Sequence, residues 1–165
     1  MRTARIVATG MNSSSARDSW RTPAWLYEAL NREFGFDLDP CPYQPNWAAG
    51  THQDGLELDW DGKRVFCNPP YSNIKPWVEK AFASAAFTVL LLPAWTDRDW
   101  FQILHERRAE IRYFRHRVNF IPPNGVKSST NNCGSIVAII RNSAHPKARN
   151  VSASDGCTKP TIHIS

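Results

Sequence analysis

Apolar side chains recur with two different periods along this chain, and the changes of period mark its elements. Leu26, Leu30 and Phe34 repeat every four residues and predict a helix with one buried face. Thr22 is placed to cap that helix, Pro23 suits its first position, and Gly35 suits its end. A short extended segment over 36–39 follows and is broken by Pro40 and Pro42. Residues 43–62 show little periodicity and read as loop with short elements. Val65, Phe66 and Cys67 then form a brief apolar run, predicted as a strand over 64–67. A second helix is expected over 76–87, with Trp77, Ala81 and Ala85 on one side. The run TVLLL at 88–92 is apolar without interruption, as in a strand buried on both faces. A third helix is expected from about Asp97, with Thr96 and Asp99 as a capping pair and Phe101 and Leu104 facing inward. Two more strands are predicted over 111–114 and 135–140. Strands alternating with helices indicate an α/β fold with a parallel or mixed sheet.

Composition adds boundaries and a mild bias. Residues 1–17 and 142–165 are polar and are expected to be flexible arms flanking one domain over 18–141. Hydrophobic residues make up 42% of the 165 and charged residues 21%, ordinary values for a globular chain. No apolar run is long enough to span a membrane, and the start lacks a signal-peptide pattern, so a cytoplasmic protein is expected. The net charge of +5 mildly favours an anionic partner such as nucleic acid. Cys41, Cys67, Cys133 and Cys157 form no C-x-x-C pair, so no metal site is expected. A disulfide framework does not suit such a chain either.

Three proline-stiffened polar loops follow three of the predicted strands. They are Asp39-Pro40-Cys41, Asn68-Pro69-Pro70-Tyr71, and the segment from Pro93 through Trp95 to Asp97. In open α/β sheets the carboxyl ends of strands form the ligand crevice. The Asn68 carboxamide offers one acceptor oxygen, and the Pro69 carbonyl, directed by fixed backbone angles, offers another. Two fixed acceptors suit a planar amino group with two hydrogens, and Tyr71 offers a flat face to a heterocycle. Accepting both hydrogens favours a tetrahedral nitrogen and stabilises the charge that develops as it attacks. With a strong electrophile the remaining task is alignment.

The string Asn68-Pro69-Pro70-Tyr71 resembles the signature of S-adenosylmethionine-dependent amino-methyltransferases. The ordered set TPAWLYEAL, FDLDPCP, DGLELDW, VFCNPPYSNIKPWVEKA, LLPAWTDRDWF and AEIRYFRHRVNF is similar to the phage-type, Dam-like DNA adenine methyltransferases over about residues 18–140. The resemblance implies a trimmed Rossmann-like fold, with a mostly parallel sheet flanked by helices. It further implies transfer of a methyl group from S-adenosyl-L-methionine to an adenine flipped out of DNA. Asn68, Pro69, Pro70 and Tyr71 would hold that adenine. Thr22 and Pro23 match the segment that touches the methionine part of the donor. Asp39, with Pro40 and Cys41, matches the acidic loop after the first strand, and Asp54 matches the acid that meets the donor's adenine. The chain departs from the pattern in three places. No glycine-rich turn follows Asp39, the gap from Asp39 to Asn68 is short, and Trp95 stands where relatives carry a basic residue.

Plainer structural roles compete with several of these assignments. Asp39 suits a cap or a surface position, Asp54-Gly55 suits a turn, and Thr22-Pro23 suits a helix start. Tyr71 could pack in the core. The basic stretch containing Arg107, Arg108, Arg112, Arg115 and Arg117 suits phosphate contact, as does Lys127 in the loop over 122–132. Nearby acids could equally pair with those arginines. Other function classes also keep the same pocket: methylation of RNA or of a protein amide, or a degenerate DNA-binding module without transfer. Cytosine ring methylation is disfavoured, because Pro40-Cys41 is the only Pro-Cys pair and lies in the wrong loop.

Overall fold

A computed structural model describes residues 18, 20–41, 54–84, 87–122 and 133–142. The arm expected at 1–17 lies outside that set, as does the tail expected at 142–165 except Asn142. The elements in chain order are α1 (Ala24–Phe34), β1 (Arg64–Cys67), α2 (Lys75–Ser84), β2 (Phe87–Pro93), α3 (Asp99–Glu106), β3 (Glu110–Tyr113) and β4 (Ser135–Arg141). The strands form one sheet in the order β1-β2-β4-β3.

Period-2 alternation splits the strand residues between two apolar layers. Val65, Cys67, Leu90, Leu92, Ile136, Ala138 and Ile140 join Trp77, Val78 and Ala81 of α2 and Trp100 and Leu104 of α3 on one face. Phe66, Phe87, Val89, Leu91, Val137 and Ile139 meet Leu26, Leu30 and Phe34 of α1 on the other. Every residue of β2 is buried, so the run at 88–92 marks a central strand. Trp60, fully buried, plugs the first layer against Trp77, and its Nε1 donates to the Gly55 carbonyl at 3.0 Å.

The mostly parallel sheet expected from the resemblance is corrected to a mixed one. β1 and β2 are parallel, whereas β4 runs antiparallel to both β2 and β3. A strand buried on both faces has the same apolar run in either direction, so its sequence carries no sign of its polarity. The segment expected as a strand over 36–39 contributes one parallel bridge, Leu38 to Val65, outside β1. There the Phe66 amide donates to the Leu38 carbonyl at 2.9 Å.

Helix ends differ from expectation by at most three residues. α1 starts after Pro23 without a side-chain cap, so Thr22 does not serve as one. Its end is as expected: Gly35 adopts a left-handed φ of 60° and its amide donates to the Asn31 carbonyl at 2.7 Å. α2 stops at Ser84 because Phe87 already pairs with Arg64 and Arg141 in the sheet. α3 begins at Asp99, and no side chain caps it. The Thr96 carbonyl instead accepts the Gln102 side-chain amide at 3.1 Å. Among the described residues no helix is long and apolar enough to cross a membrane.

Leu90 is fully buried at the centre of β2. Leu90→Ala is expected to cost about 2–5 kcal/mol of stability. Urea denaturation would then show a lower midpoint with an unchanged slope.

Candidate active site

Because residue 38, β1 and β2 run parallel, their carboxyl ends reach the same edge of the sheet. That edge carries Asp39, Asn68 and Ala94-Trp95. The reversed strand β4 starts there as well, and the Ala94 amide donates to the Gly134 carbonyl at 2.9 Å. The three loops singled out in the sequence therefore lie along one crevice edge.

Asn68 follows β1 directly and is half-buried. Its Nδ2 donates to the main-chain carbonyl of Trp20 at 3.3 Å. Its Oδ1 is buried and accepts no hydrogen bond within the protein. A buried acceptor without a donor costs on the order of 1–3 kcal/mol, so its retention at a crevice is informative. Past Pro69 and Pro70 the chain turns, with the Asn73 amide donating to the Pro70 carbonyl at 3.2 Å. The Ser72 amide donates to Asp18 Oδ1 at 3.1 Å.

Tyr71 stands edge-on to Trp95 and to Phe120, with ring centroids 6.1 and 6.3 Å away. Its hydroxyl is buried without a hydrogen bond, and burial pushes its pKa far up, so the phenol stays neutral. The residue as a whole is half-buried, and it lines a groove of about 500 Å³. Lys75, Trp95, Arg98 and Trp100 form other parts of that groove, together with the acids Asp97, 3.9 Å from Arg98, and Asp99. Tyr71 thus packs against the core and also faces an open space.

The acidic loop lies beyond β1. Asp39 Oδ1 accepts from the Cys41 amide at 2.9 Å. Burial raises the Asp39 pKa to about 6, and this one backbone hydrogen bond offsets the rise only in part. Cys41 Sγ lies 3.7 Å from Cys67 Sγ, which couples the acidic loop to the last residue of β1. Burial, first, and the neighbouring Cys41 and Asp39 raise the Cys67 pKa and keep it a thiol. Gly55 is pressed against this loop: a Cβ there would overlap the Pro40 carbonyl and lie 2.9 Å from Trp77 Cη2. Asp54 consequently comes close to Pro40 along the chain. Its side chain is exposed, and its Oδ1 accepts from the Leu56 amide at 2.9 Å, as a turn residue does. Thr22 and Pro23 directly follow the strand bridge at Arg21 and the Trp20 carbonyl that meets Asn68.

The basic residues divide. Arg112 sits on β3, at the opposite edge of the sheet from β1. Its guanidinium is committed to Glu33 at 2.7 Å and Glu110 at 2.8 Å. Arg115 and Arg117 are exposed in the segment after β3, and the charge of Arg117 acts on Cys133 beside the crevice. Lys127 lies outside the described residues. Phe120 is brought against Tyr71 by the same segment. Asp18 and the Trp20 carbonyl were not legible in the sequence, because their partners lie 54 and 48 residues away and a main-chain acceptor leaves no residue signature.

A family model described as DNA N-6-adenine-methyltransferase (Dam) matches residues 10–159. A protein of Haemophilus phage HP1 (strain HP1c1) named DNA N-6-adenine-methyltransferase is 32% identical over 118 residues, covering 65% of this chain and 68% of that protein. A protein of the same name from Escherichia phage T1 is 30% identical over 158 residues, covering 80% of this chain and 66% of that protein. No solved structure matches the chain.

The raised pKa of Asp39 has a defined sign in stability. The folded state holds its proton up to about pH 6, whereas the unfolded chain releases it near the ordinary 3.8. Its contribution to wild-type stability is therefore greatest below pH 3.8 and is lost as pH rises through 6. Asp39→Asn keeps the acceptor for Cys41 and removes the buried charge. It is expected to be more stable at pH 7 by about 1–2 kcal/mol, a gain that vanishes below pH 4, in urea titrations across pH. Gly55→Ala is expected to lower stability, seen as a lower urea midpoint, because the new methyl group displaces Pro40.

Proposed function

The chain belongs to the DNA N-6-adenine-methyltransferase (Dam) family, and from that premise we propose that it methylates the exocyclic amino nitrogen of adenine in DNA at the crevice edge formed by Asn68. The observation that carries the reading is the buried, unpartnered Oδ1 of Asn68 at the fixed end of β1. That oxygen accepts one hydrogen of the adenine amine, and the Pro69 carbonyl accepts the other. With both hydrogens held, the nitrogen lone pair is released from the ring and turned toward the methyl donor.

Duplex adenine cannot reach such an acceptor while stacked, so the base must leave the helix. The groove lined by Tyr71, Trp95 and Arg98 is the proposed approach, since Tyr71 joins it to the asparagine loop although Asn68 does not itself line it. Tyr71, braced by Trp95 and Phe120, offers its ring to the incoming base. Trp95 and Arg98 belong to the groove and supply aromatic area and charge for the adjoining strand.

The donor side is the acidic loop. Asp39, Pro40 and Cys41, with the Asp54–Gly55 turn against them, would hold S-adenosylmethionine, and Thr22 and Pro23 would border its methionine part. Asp39 fits this role because its carboxyl is partly desolvated and has a single backbone donor, so hydroxyl donors of a ligand would lower its pKa again. The close approach of Gly55 to Pro40 fits a tight wall behind the acidic loop. When bound, S-adenosylmethionine supplies a methyl group on a positively charged sulfur, so no protein nucleophile is needed. The neutral phenol of Tyr71 and the amide of Asn68 put no competing charge beside the amine.

Asn68→Ala is expected to keep the fold and donor binding while methyl transfer falls by about 10²-fold or more. The measurement is transfer of labelled methyl to adenine-containing duplex, run beside RNA and protein acceptors. DNA from cells expressing the wild-type chain is expected to resist restriction enzymes that are blocked by adenine methylation. Full activity of the Asn68→Ala protein, or transfer confined to RNA or protein, would overturn the assignment.

A further inference from the structure

The segment before α1 makes two contacts with the loop that carries Asn68. The Trp20 carbonyl accepts from Asn68 Nδ2 at 3.3 Å, and Asp18 Oδ1 accepts from the Ser72 amide at 3.1 Å. Immediately after Trp20, Arg21 and Ile121 exchange two backbone hydrogen bonds of 2.9 and 3.0 Å. The Trp20 carbonyl is thus pinned on both flanks, on one side to the asparagine loop and on the other to the segment that bears Phe120.

A carboxamide has two ends of nearly equal size and opposite hydrogen-bonding character. Turned by half a rotation about its last bond, Asn68 would present a donor where the reaction requires an acceptor. A main-chain carbonyl can only accept, so the atom that faces Trp20 has to be the nitrogen. Oδ1 is then directed to the other side, where it is buried without a partner. The helix itself does not need this arrangement, since the amides of Leu26 and Tyr27 are already satisfied by the Pro23 carbonyl.

We propose that Asp18, Trp20 and Arg21 act as a positioning strap, in which the Trp20 carbonyl selects the acceptor-inward orientation of Asn68 and Asp18 helps to tie that carbonyl to the asparagine loop. The proposal rests on the methyl-transfer reading and adds groups that never touch the reacting atoms. It also sets a requirement on position 68: whatever stands there must donate toward Trp20 and accept toward the substrate at the same time.

Two sets of variants test it on the full chain with duplex DNA and S-adenosylmethionine. Asp18→Ala is expected to lower kcat about tenfold with KM for both substrates unchanged, and Asp18→Asn, which retains an Oδ1 acceptor for Ser72, is expected to restore it. Asn68→Asp can meet the double requirement only as the neutral acid, with its O–H donated to Trp20. Its kcat is therefore expected to fall as pH rises through the carboxyl pKa, a descending limb that the wild type lacks. An Asp18→Ala enzyme with wild-type kcat, or an Asn68→Asp profile without that limb, overturns the strap. If Asn68→Ala were as active as wild type, the methyl-transfer reading beneath it would fall instead. The two failures are therefore distinguishable.

Discussion

The complete burial of β2 between a parallel and an antiparallel neighbour is the constraint from which the rest of the structure follows. Each residue from Phe87 to Pro93 is held by its own place in the ladder, and none can slide by one position without turning an apolar side chain to the wrong layer. Cys67 pairs with Leu90 at the middle of this strand. The next residue, Asn68, therefore leaves the sheet from an immobile point. Two prolines then limit the backbone further. A side chain that must present one oxygen in one direction can stand at a crevice edge only if its own Cα cannot move.

Energetic cost gathers along that edge. Asn68 Oδ1 and the Tyr71 hydroxyl are buried without hydrogen bonds, and Asp39 carries a carboxyl that its surroundings desolvate. Each of these is unfavourable for folding by itself. They occur together at the carboxyl ends of the strands, although the Thr88 hydroxyl, at the start of β2, is also buried without a hydrogen bond. The grouping of unpartnered acceptors at this edge supports the proposed site, where a ligand would bring the donors. The pressed contact of Gly55 on Pro40 and the neighbouring sulfurs of Cys41 and Cys67 keep the acidic loop close to the asparagine loop. A donor and an acceptor molecule held by the two loops would thus meet across one strand end.

Several of the described basic side chains are engaged within the fold. Arg112 joins β3 to α1 through Glu33 and lies over the Phe34 ring, and this accounts for its guanidinium. Arg64 and Arg141 lie over the Phe87 ring from its two neighbouring strands. Several arginines thus cover aromatic edges of the core. The cations that face the proposed DNA approach are those carried by the crevice-side segments, Lys75 and Arg98 in the groove and Arg117 next to Cys133.

The elements of this protein and the loops of its site are written in the sequence. Periods of four and of two separate α1 from the strands, the unbroken run TVLLL marks the central strand, Gly35 ends a helix, and Asn68-Pro69-Pro70-Tyr71 identifies the asparagine loop. These are local signals, because propensity and side-chain period act within a few residues. The reversed direction of β4, the loss of the expected caps at Thr22 and Thr96, the pairing of Arg112 with Glu33 and the carbonyl of Trp20 over Asn68 were decided only by the tertiary structure. The strand direction, the Arg112–Glu33 pair and the Trp20 carbonyl depend on partners tens of residues apart, the caps on backbone geometry at the helix starts, and a peptide carbonyl or a strand direction has no side chain by which a sequence could announce it.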